Sequence, residues 1–362
     1  FNIVRGGVPL PSIRNYFMLG DSVGYIGLVG GFQGTTADEL DQAIAALKKK
    51  GMKSLVLDLR NNPGGLLQQA IKVVSRFIPE DKTVVSVKGR TRGAKMTELP
   101  TDGGKTEDFP LVIMINGGSA SASEIVAGAI QDYDRGVIVG TDSFGKGLVQ
   151  RIFDLPYGTG MTLTTARYYT PFGRSLQRDY SNGSIYDYYT KHEDEENANK
   201  TDAQPKPVGS PVPTANGRIL YGGRGIEPDI KASPQTFSPL RGRLGEAAFF
   251  FVRQLVAGQV KGFENYRRDK QNFSSTIEPN DLQINDKLFE AFRSFTAADK
   301  ANGLTAENIN SQIDYAKLRI RQELATANYS TEAGAQVLLE IDPQLLKGVE
   351  AITEAKKLVA AK

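Results

Sequence analysis

Two short segments hold the residues best suited to chemistry: Ser119-Ala-Ser-Ala-Ser123, and Lys146 within Phe144-Gly-Lys-Gly-Leu-Val149. A run of small residues at the mouth of a helix lets a polypeptide backbone approach, and a serine there has main-chain N–H groups beside it to stabilise a developing oxyanion. Serine attack needs a base. A lysine can serve where desolvation lowers its pKa enough for the neutral amine to exist near neutral pH, and the acidic residue nearest to Lys146 on this stretch is Asp142. Both segments also have plainer readings. Ser121-Ala-Ser-Glu124 has capping-box spacing, so the serines suit a helix start as well as chemistry, and the two roles can coexist. Lys146 taken alone reads as a solvated loop lysine. Asn61-Asn62-Pro63-Gly64-Gly65, between a hydrophobic run and a helical pattern, offers further N–H groups to an oxyanion; its plain reading is a helix-start turn with proline near the first helical position.

Other chemistries are excluded by absence. The chain has no cysteine and one histidine, His192, which removes disulfides, cysteine nucleophiles, Cys/His zinc sites and iron–sulfur clusters. His192 sits in Lys191-His192-Glu193-Asp194-Glu195-Glu196, a solvated charge run, so a residue other than histidine must move the proton. Gly140, Gly145 and Lys146 match the front of a phosphate-binding loop, but Gly147 stands where the magnesium-binding hydroxyl belongs and a β-branched run follows instead of a helix. Ser143 and Lys146 have S-x-x-K spacing, which needs a helical turn that Gly145 and Gly147 disfavour.

These residues must be positioned by a scaffold, and 362 residues suffice for about two domains. Lys plus Arg number 44 against 41 Asp plus Glu, too balanced to argue for nucleic acid or an anionic membrane surface. The longest apolar runs, 111–115 and 247–252, are far below the ~20 residues of a membrane span, so no transmembrane segment is expected. The chain opens at Phe1 in mid-pattern, as after removal of a targeting segment, and the lack of cysteine suits an extracytoplasmic protein of a bacterial periplasm or envelope. Only seven of the 38 glycines lie after residue 235, so turn-rich alternation gives way there to helices. Strands are predicted at 23–29, 54–59, 111–115, 137–139, 148–155 and 161–169, with helices from Thr36 to Gly51, at 66–78 and at 122–133; this alternation argues a layered α/β core over 1–235. Residues 178–216 interrupt it as a long surface excursion expected to be mobile. Helices at 244–259, 286–295, 306–327 and 344–361 make a C-terminal helical domain, 236–362, whose faces are expected to pack on each other.

Five strings in order, Leu57-Asp-Leu-Arg-Asn-Asn-Pro-Gly-Gly65, Ser119-Ala-Ser-Ala-Ser-Glu-Ile125, Phe144-Gly-Lys-Gly147 with Gln150, Tyr169-Thr-Pro-Phe-Gly-Arg-Ser175 and Gly225-Ile-Glu-Pro-Asp-Ile230, resemble the C-terminal processing peptidases, or tail-specific proteases, over roughly residues 23–231. The resemblance implies a crotonase-like (ClpP/crotonase type) core and a serine endopeptidase acting on unfolded or C-terminally tagged polypeptides without metal or cofactor. It implies Ser121 as nucleophile, Lys146 as base and Gln150 as the side chain orienting Lys146. It places the N–H groups of Ala122 and of Gly64 or Gly65 in the oxyanion hole, and gives Asp58, Arg60 and Glu124 supporting roles. Its partners would be polypeptides with accessible C-terminal tails, with oligomerisation left open. The family usually carries a PDZ domain before the equivalent of residue 23, a module that binds a free C-terminus by strand addition; only Phe1–Ile13 stands there, as in a fragment, a processed form or a member without the module. The alternative is a non-catalytic binding protein, or a catalytically silent fragment, on the same fold.

Overall fold

Short runs of Val, Ile and Leu alternating with helices of 3.6-residue periodicity build a mixed α/β structure. The structure, a computed structural model, describes residues 5–7, 10–90, 96–178, 209–274, 276–278 and 280–360. His192 and most of the excursion at 178–216, residues 179–208, lie outside the described residues.

In chain order the first elements are β1 (Ile13–Leu19), β2 (Val23–Leu28), α1 (Thr36–Lys49), β3 (Ser54–Asp58), α2 (Leu67–Ser75), β4 (Thr83–Gly89), β5 (Thr97–Pro100) and β6 (Leu111–Ile115). They are followed by α3 (Ala122–Asp132), β7 (Val137–Gly140), β8 (Leu148–Leu155), β9 (Thr159–Tyr169), and the two-residue strands β10 (Val212–Pro213), β11 (Ile219–Leu220) and β12 (Ile230–Lys231). Six of the strands form one sheet in the order β1-β2-β3-β6-β7-β12. β1 is antiparallel to β2, and every other neighbouring pair is parallel.

Every residue of β3 and β6 is buried, as expected of parallel strands covered on both faces. Leu55, Leu57, Leu111, Ile113 and Ile115 share one core with Leu40 and Ile44 of α1, Ile71 and Val74 of α2, and Ile125 and Val126 of α3. The strand period of two turns Val112 and Met114 to the opposite face. Gly348 lies there, where a methyl group would stand 3.4 Å from the Met114 sulfur and 3.8 Å from Val112.

α1 begins at the predicted Thr36. Glu39 accepts the N–H groups of Ser12 (2.8 Å) and Ile13 (2.9 Å) at the start of β1 through Oε2, and the Thr35 hydroxyl (2.6 Å) through Oε1. A second, antiparallel sheet has the order β5-β4-β9-β8. β8, an edge strand, is exposed from Gln150 to its end.

The remaining helices are α4 (Pro239–Val256), α5 (Asp286–Ala298), α6 (Ala306–Asn310), α7 (Ile313–Asn328), α8 (Thr331–Leu339), α9 (Pro343–Glu350) and α10 (Ile352–Ala360). The single helices expected over 306–327 and 344–361 are each two, and α8, capped by the Ser330 hydroxyl on Ala333 N–H (3.2 Å), was not foreseen. The chain divides into two compact units, Phe1–Ser233 with Lys347–Lys362, and Pro234–Leu346. The last 16 residues belong to the first unit, where α10 packs on β6 and β7. No helix among the described residues is long and apolar enough to cross a membrane.

Candidate active site

In a parallel sheet the loops leaving the carboxyl ends of adjacent strands gather on one edge, where such folds place their ligands. β3, β6 and β7 are neighbours, so Asn61–Gly65, Asn116–Ser121 and Thr141–Gly147 come together. They are cross-bonded: Ala120 N–H donates to Asn62 O (3.0 Å) and Phe144 N–H to Ser119 O (2.9 Å). Asn116 accepts Asn61 N–H through Oδ1 (2.8 Å) and donates from Nδ2 to Asn61 Oδ1 (3.0 Å). Arg60 and Asp58 form an ion pair, Nη2 to Oδ2 at 2.7 Å, and Tyr25 donates to the same Asp58 oxygen (3.0 Å). That brace ends β3 just before the glycine loop.

The three serines of the small-residue run have different occupations. Ser119 donates its hydroxyl to Leu59 O (2.8 Å) and Ser123 to Asn62 O (2.9 Å), and both are fully buried. The half-buried Ser121 hydroxyl donates to nothing among the described residues. Ser121 also has φ 56° and ψ −111°, a backbone state costing a non-glycine residue on the order of 1–3 kcal/mol and sustained only by surrounding structure. Ile125 N–H on Ser121 O (3.0 Å) and the Glu124 carboxylate on Ser121 N–H (2.8 Å) supply that support.

Glu124, fully buried, joins the serine segment to the lysine segment. Its Oε2 accepts the N–H groups of both Ser121 (2.8 Å) and Lys146 (2.8 Å), and its Oε1 accepts the Ser143 hydroxyl (2.6 Å) and Gly145 N–H (2.6 Å). The main-chain nitrogens of Ser121 and Lys146 are therefore no farther apart than two 2.8 Å bonds laid end to end. Burial pushes the Glu124 carboxyl above its ordinary value, and the four donors oppose that shift. Ser143 also accepts Ile226 N–H (2.7 Å), tying in the Gly225–Ile230 string. Only glycine fits at 225, since an added Cβ would lie 2.5 Å from the Ser143 oxygen and 2.9 Å from Glu124 Oε1.

The two candidate glycines differ as well. Gly64, at φ 97°, packs against the nucleophile segment so closely that a Cβ there would be 2.8 Å from Ser121 Cβ and 2.9 Å from Ala122 N. Its N–H is already donated to Asn62 Oδ1 (2.9 Å). The Gly65 N–H has no partner among the described residues, nor has that of Ala122 in the first turn of α3, where intrahelical acceptors are lacking. Because Gly64 O accepts Phe32 N–H (2.9 Å), the Gly65 N–H across the same trans peptide points away from Phe32.

Lys146 and Gln150 are exposed. In this structure the Lys146 ammonium makes no hydrogen bond to the Ser121 hydroxyl, and the Gln150 amide makes none to Lys146, so the expected orienting bond is not present. Gly147 leads into β8 instead of a helix, which agrees with setting aside the phosphate-loop and S-x-x-K readings. The residue missed from sequence was Asn62. An asparagine two residues before a glycine is a signature of a side chain closing on the following backbone, and Asn62 lies in a string already singled out.

Part of the chain is similar to known proteins. Residues 22–189 match the model of Peptidase family S41. A "Carboxy-terminal-processing protease" of Bartonella bacilliformis is 45% identical over 179 residues, 48% of this chain and 40% of that protein. A "Carboxyl-terminal-processing protease" of Synechocystis sp. is 43% identical over 152 residues, 42% of this chain and 35% of that protein. The chain thus spans well under half the length of these two relatives. Among solved structures, a photosystem II D1 C-terminal processing protease aligns at 26% identity with TM-score 0.43, covering 62% of this chain and 49% of its own. The matched segment contains the glycine loop, the serine run, Glu124 and Lys146.

Proposed function

We propose that this chain is a serine endopeptidase on a crotonase-like core that cleaves unfolded or C-terminally tagged polypeptides with a Ser121–Lys146 dyad. The observation that carries the reading is the division of labour in Ser119–Ser123: the outer hydroxyls are spent on main-chain carbonyls, and the middle one, on a strained backbone at a helix N-terminus, is not. Neutral Lys146 takes the Ser121 hydroxyl proton as the oxygen attacks the scissile carbonyl carbon. The N–H groups of Ala122 and Gly65 hold the oxyanion; Gly65 is preferred because the Gly64 N–H is committed to Asn62. Lys146 then returns the proton to the leaving amine, and water, activated by the same amine, hydrolyses the acyl ester. Gln150 steadies Lys146 once substrate covers the exposed stretch of β8 that begins at Gln150. The carboxy-terminal processing named for the relatives supports a polypeptide tail as substrate.

An exposed Lys146 whose ammonium has no partner among the described residues is what a non-catalytic relative of the same fold would show. Against that, the shared Glu124 oxygen keeps Lys146 within a lysine stem's reach of Ser121. Turnover of a fluorescently labelled unfolded polypeptide separates the two readings. Ser121→Ala and Lys146→Ala are each expected to lower kcat by about 10³-fold or more. Wild-type turnover in either variant overturns the dyad, and a wild-type protein that does not cleave overturns the peptidase reading.

A further inference from the structure

Asn62, which carries no proton-transfer chemistry of its own, uses all four of its polar atoms in hydrogen bonds that brace the segments flanking both proposed oxyanion donors. It is fully buried. Its side chain is pinned at both ends: Nδ2 donates to Leu28 O on β2 (2.6 Å), and Oδ1 accepts Gly64 N–H (2.9 Å). Its main-chain N–H donates to Leu59 O at the end of β3 (3.2 Å). Its carbonyl accepts Ala120 N–H (3.0 Å) and the Ser123 hydroxyl (2.9 Å), the residues two before and one after Ala122.

We infer that Asn62 is a positioning residue for the transition state: it fixes the Gly65 N–H and the Ala122 N–H relative to one another. The inference rests on the peptidase reading above. The physical case is one of rigidity. An oxyanion hole stabilises only if its donors already stand where charge will develop, since reorienting loose dipoles during the reaction consumes the stabilisation they provide. Gly64 and Gly65 are the two most pliant residues of their loop, and Ala122 belongs to a different segment. The β2 carbonyl fixes the Asn62 side chain, that side chain fixes Gly64, and the Asn62 carbonyl fixes both flanks of Ala122. With the Gly64 N–H occupied, the loop presents the next donor along, that of Gly65.

The prediction distinguishes transition-state positioning from generic stability. Asn62→Ala removes both side-chain anchors, and Ser123→Ala removes one carbonyl pin with a smaller change in volume. Three quantities are measured: kcat and KM on a labelled peptide substrate, affinity for a peptide boronate that forms a tetrahedral adduct on Ser121, and the far-ultraviolet circular dichroism of each variant. Asn62→Ala is expected to lower kcat and boronate affinity together by about 10²-fold, with KM within about two-fold of wild type. Ser123→Ala should move the same two quantities by about 10-fold. Boronate affinity unchanged in both folded variants overturns the inference, as does a parallel loss in KM and boronate affinity, which marks a general loosening. Should Asn62→Ala not fold, Ser123→Ala decides by the same criteria. Turnover by the wild type with none by Ser121→Ala upholds the peptidase reading whichever way the Asn62 result falls.

Discussion

Four hydrogen-bond donors converge on the Glu124 carboxylate, and that arrangement works only with the carboxylate ionised. The donors are three main-chain N–H groups and a Ser143 hydroxyl that already accepts Ile226 N–H. A proton on either oxygen displaces one of them. Glu124→Gln turns an amide NH2 toward two donors and is expected to cost about 2–6 kcal/mol of stability, since each buried donor left unsatisfied costs roughly 1–3 kcal/mol; urea denaturation measures it. The pH dependence has a definite sign. Burial raises the folded-state pKa of Glu124, so its contribution to stability is fully present below its unfolded pKa and is lost as pH rises through the folded value. Activity should go the opposite way: kcat/KM falls with acidification at a pH above the ordinary glutamate range, while this group costs the fold no stability over that window. Parallel pH profiles of kcat/KM and thermal unfolding check this, and an acid limb that persists unchanged in the residual activity of Glu124→Gln assigns it to another group. Sequence spacing revealed the Glu124–Ser121 half of this clamp as a capping pattern. The halves reaching Ser143, Gly145 and Lys146 join residues about 20 positions apart, and no local pattern encodes them.

At the scale of elements, α3 presents Ser121 and is tethered at both ends. Asn62 and Glu124 hold its start; at its end Asp132 Oδ1 accepts Arg174 Nε (2.8 Å) and Nη2 (2.6 Å), and Oδ2 accepts Phe172 N–H (2.9 Å). Neither side chain of this pair is more than 2% exposed. Removing one member strands the other charge in the interior. Asp132→Ala is therefore expected to destabilise the protein by about 3–5 kcal/mol, whereas Asp132→Leu combined with Arg174→Met should recover most of the loss. Chemical denaturation of the three proteins decides it: a double variant no more stable than Asp132→Ala would show that the pair contributes beyond charge neutralisation. Arg174 was visible in the sequence only as part of a family string, because its partner lies 42 residues away. Elements declared by composition were legible. β6 was predicted residue for residue and α3 to within one, since buried parallel strands read as unbroken apolar runs and a capping pattern marks a helix start. β1, β4 and β5 were not, because their mixed, half-exposed sequences carry neither period cleanly.

The whole molecule follows a path that the sequence did not disclose. A fall in glycine content near residue 235 reads as one boundary, and nothing in the helical pattern of 344–361 marks a return. The chain nevertheless leaves the first unit at Ser233 and re-enters it at Lys347, and α10 packs on β6 and β7. Leu111, Ile113 and Ile115 of β6 serve the core shared with α1–α3, so Val112 and Met114, both fully buried, need cover from the other side. A Cβ added at Gly348 would reach van der Waals contact with both, and Ala351, Ile352 and Ala355 beyond it are buried. The C-terminal segment is thus a layer of the unit that carries the candidate site, although more than 200 residues of sequence separate it from Lys146. A chain ending at Leu346, prepared with Ser121→Ala to exclude self-cleavage, should lose at least about 2 kcal/mol. Burying one isoleucine side chain already contributes roughly 1.5–3 kcal/mol, and the uncovered strand face adds to that. The midpoint of urea unfolding, followed by a probe in the first unit, measures the loss. An unchanged midpoint would mean that β6 and β7 keep their burial without α10, and that the segment is an appendage to this unit instead of one of its layers.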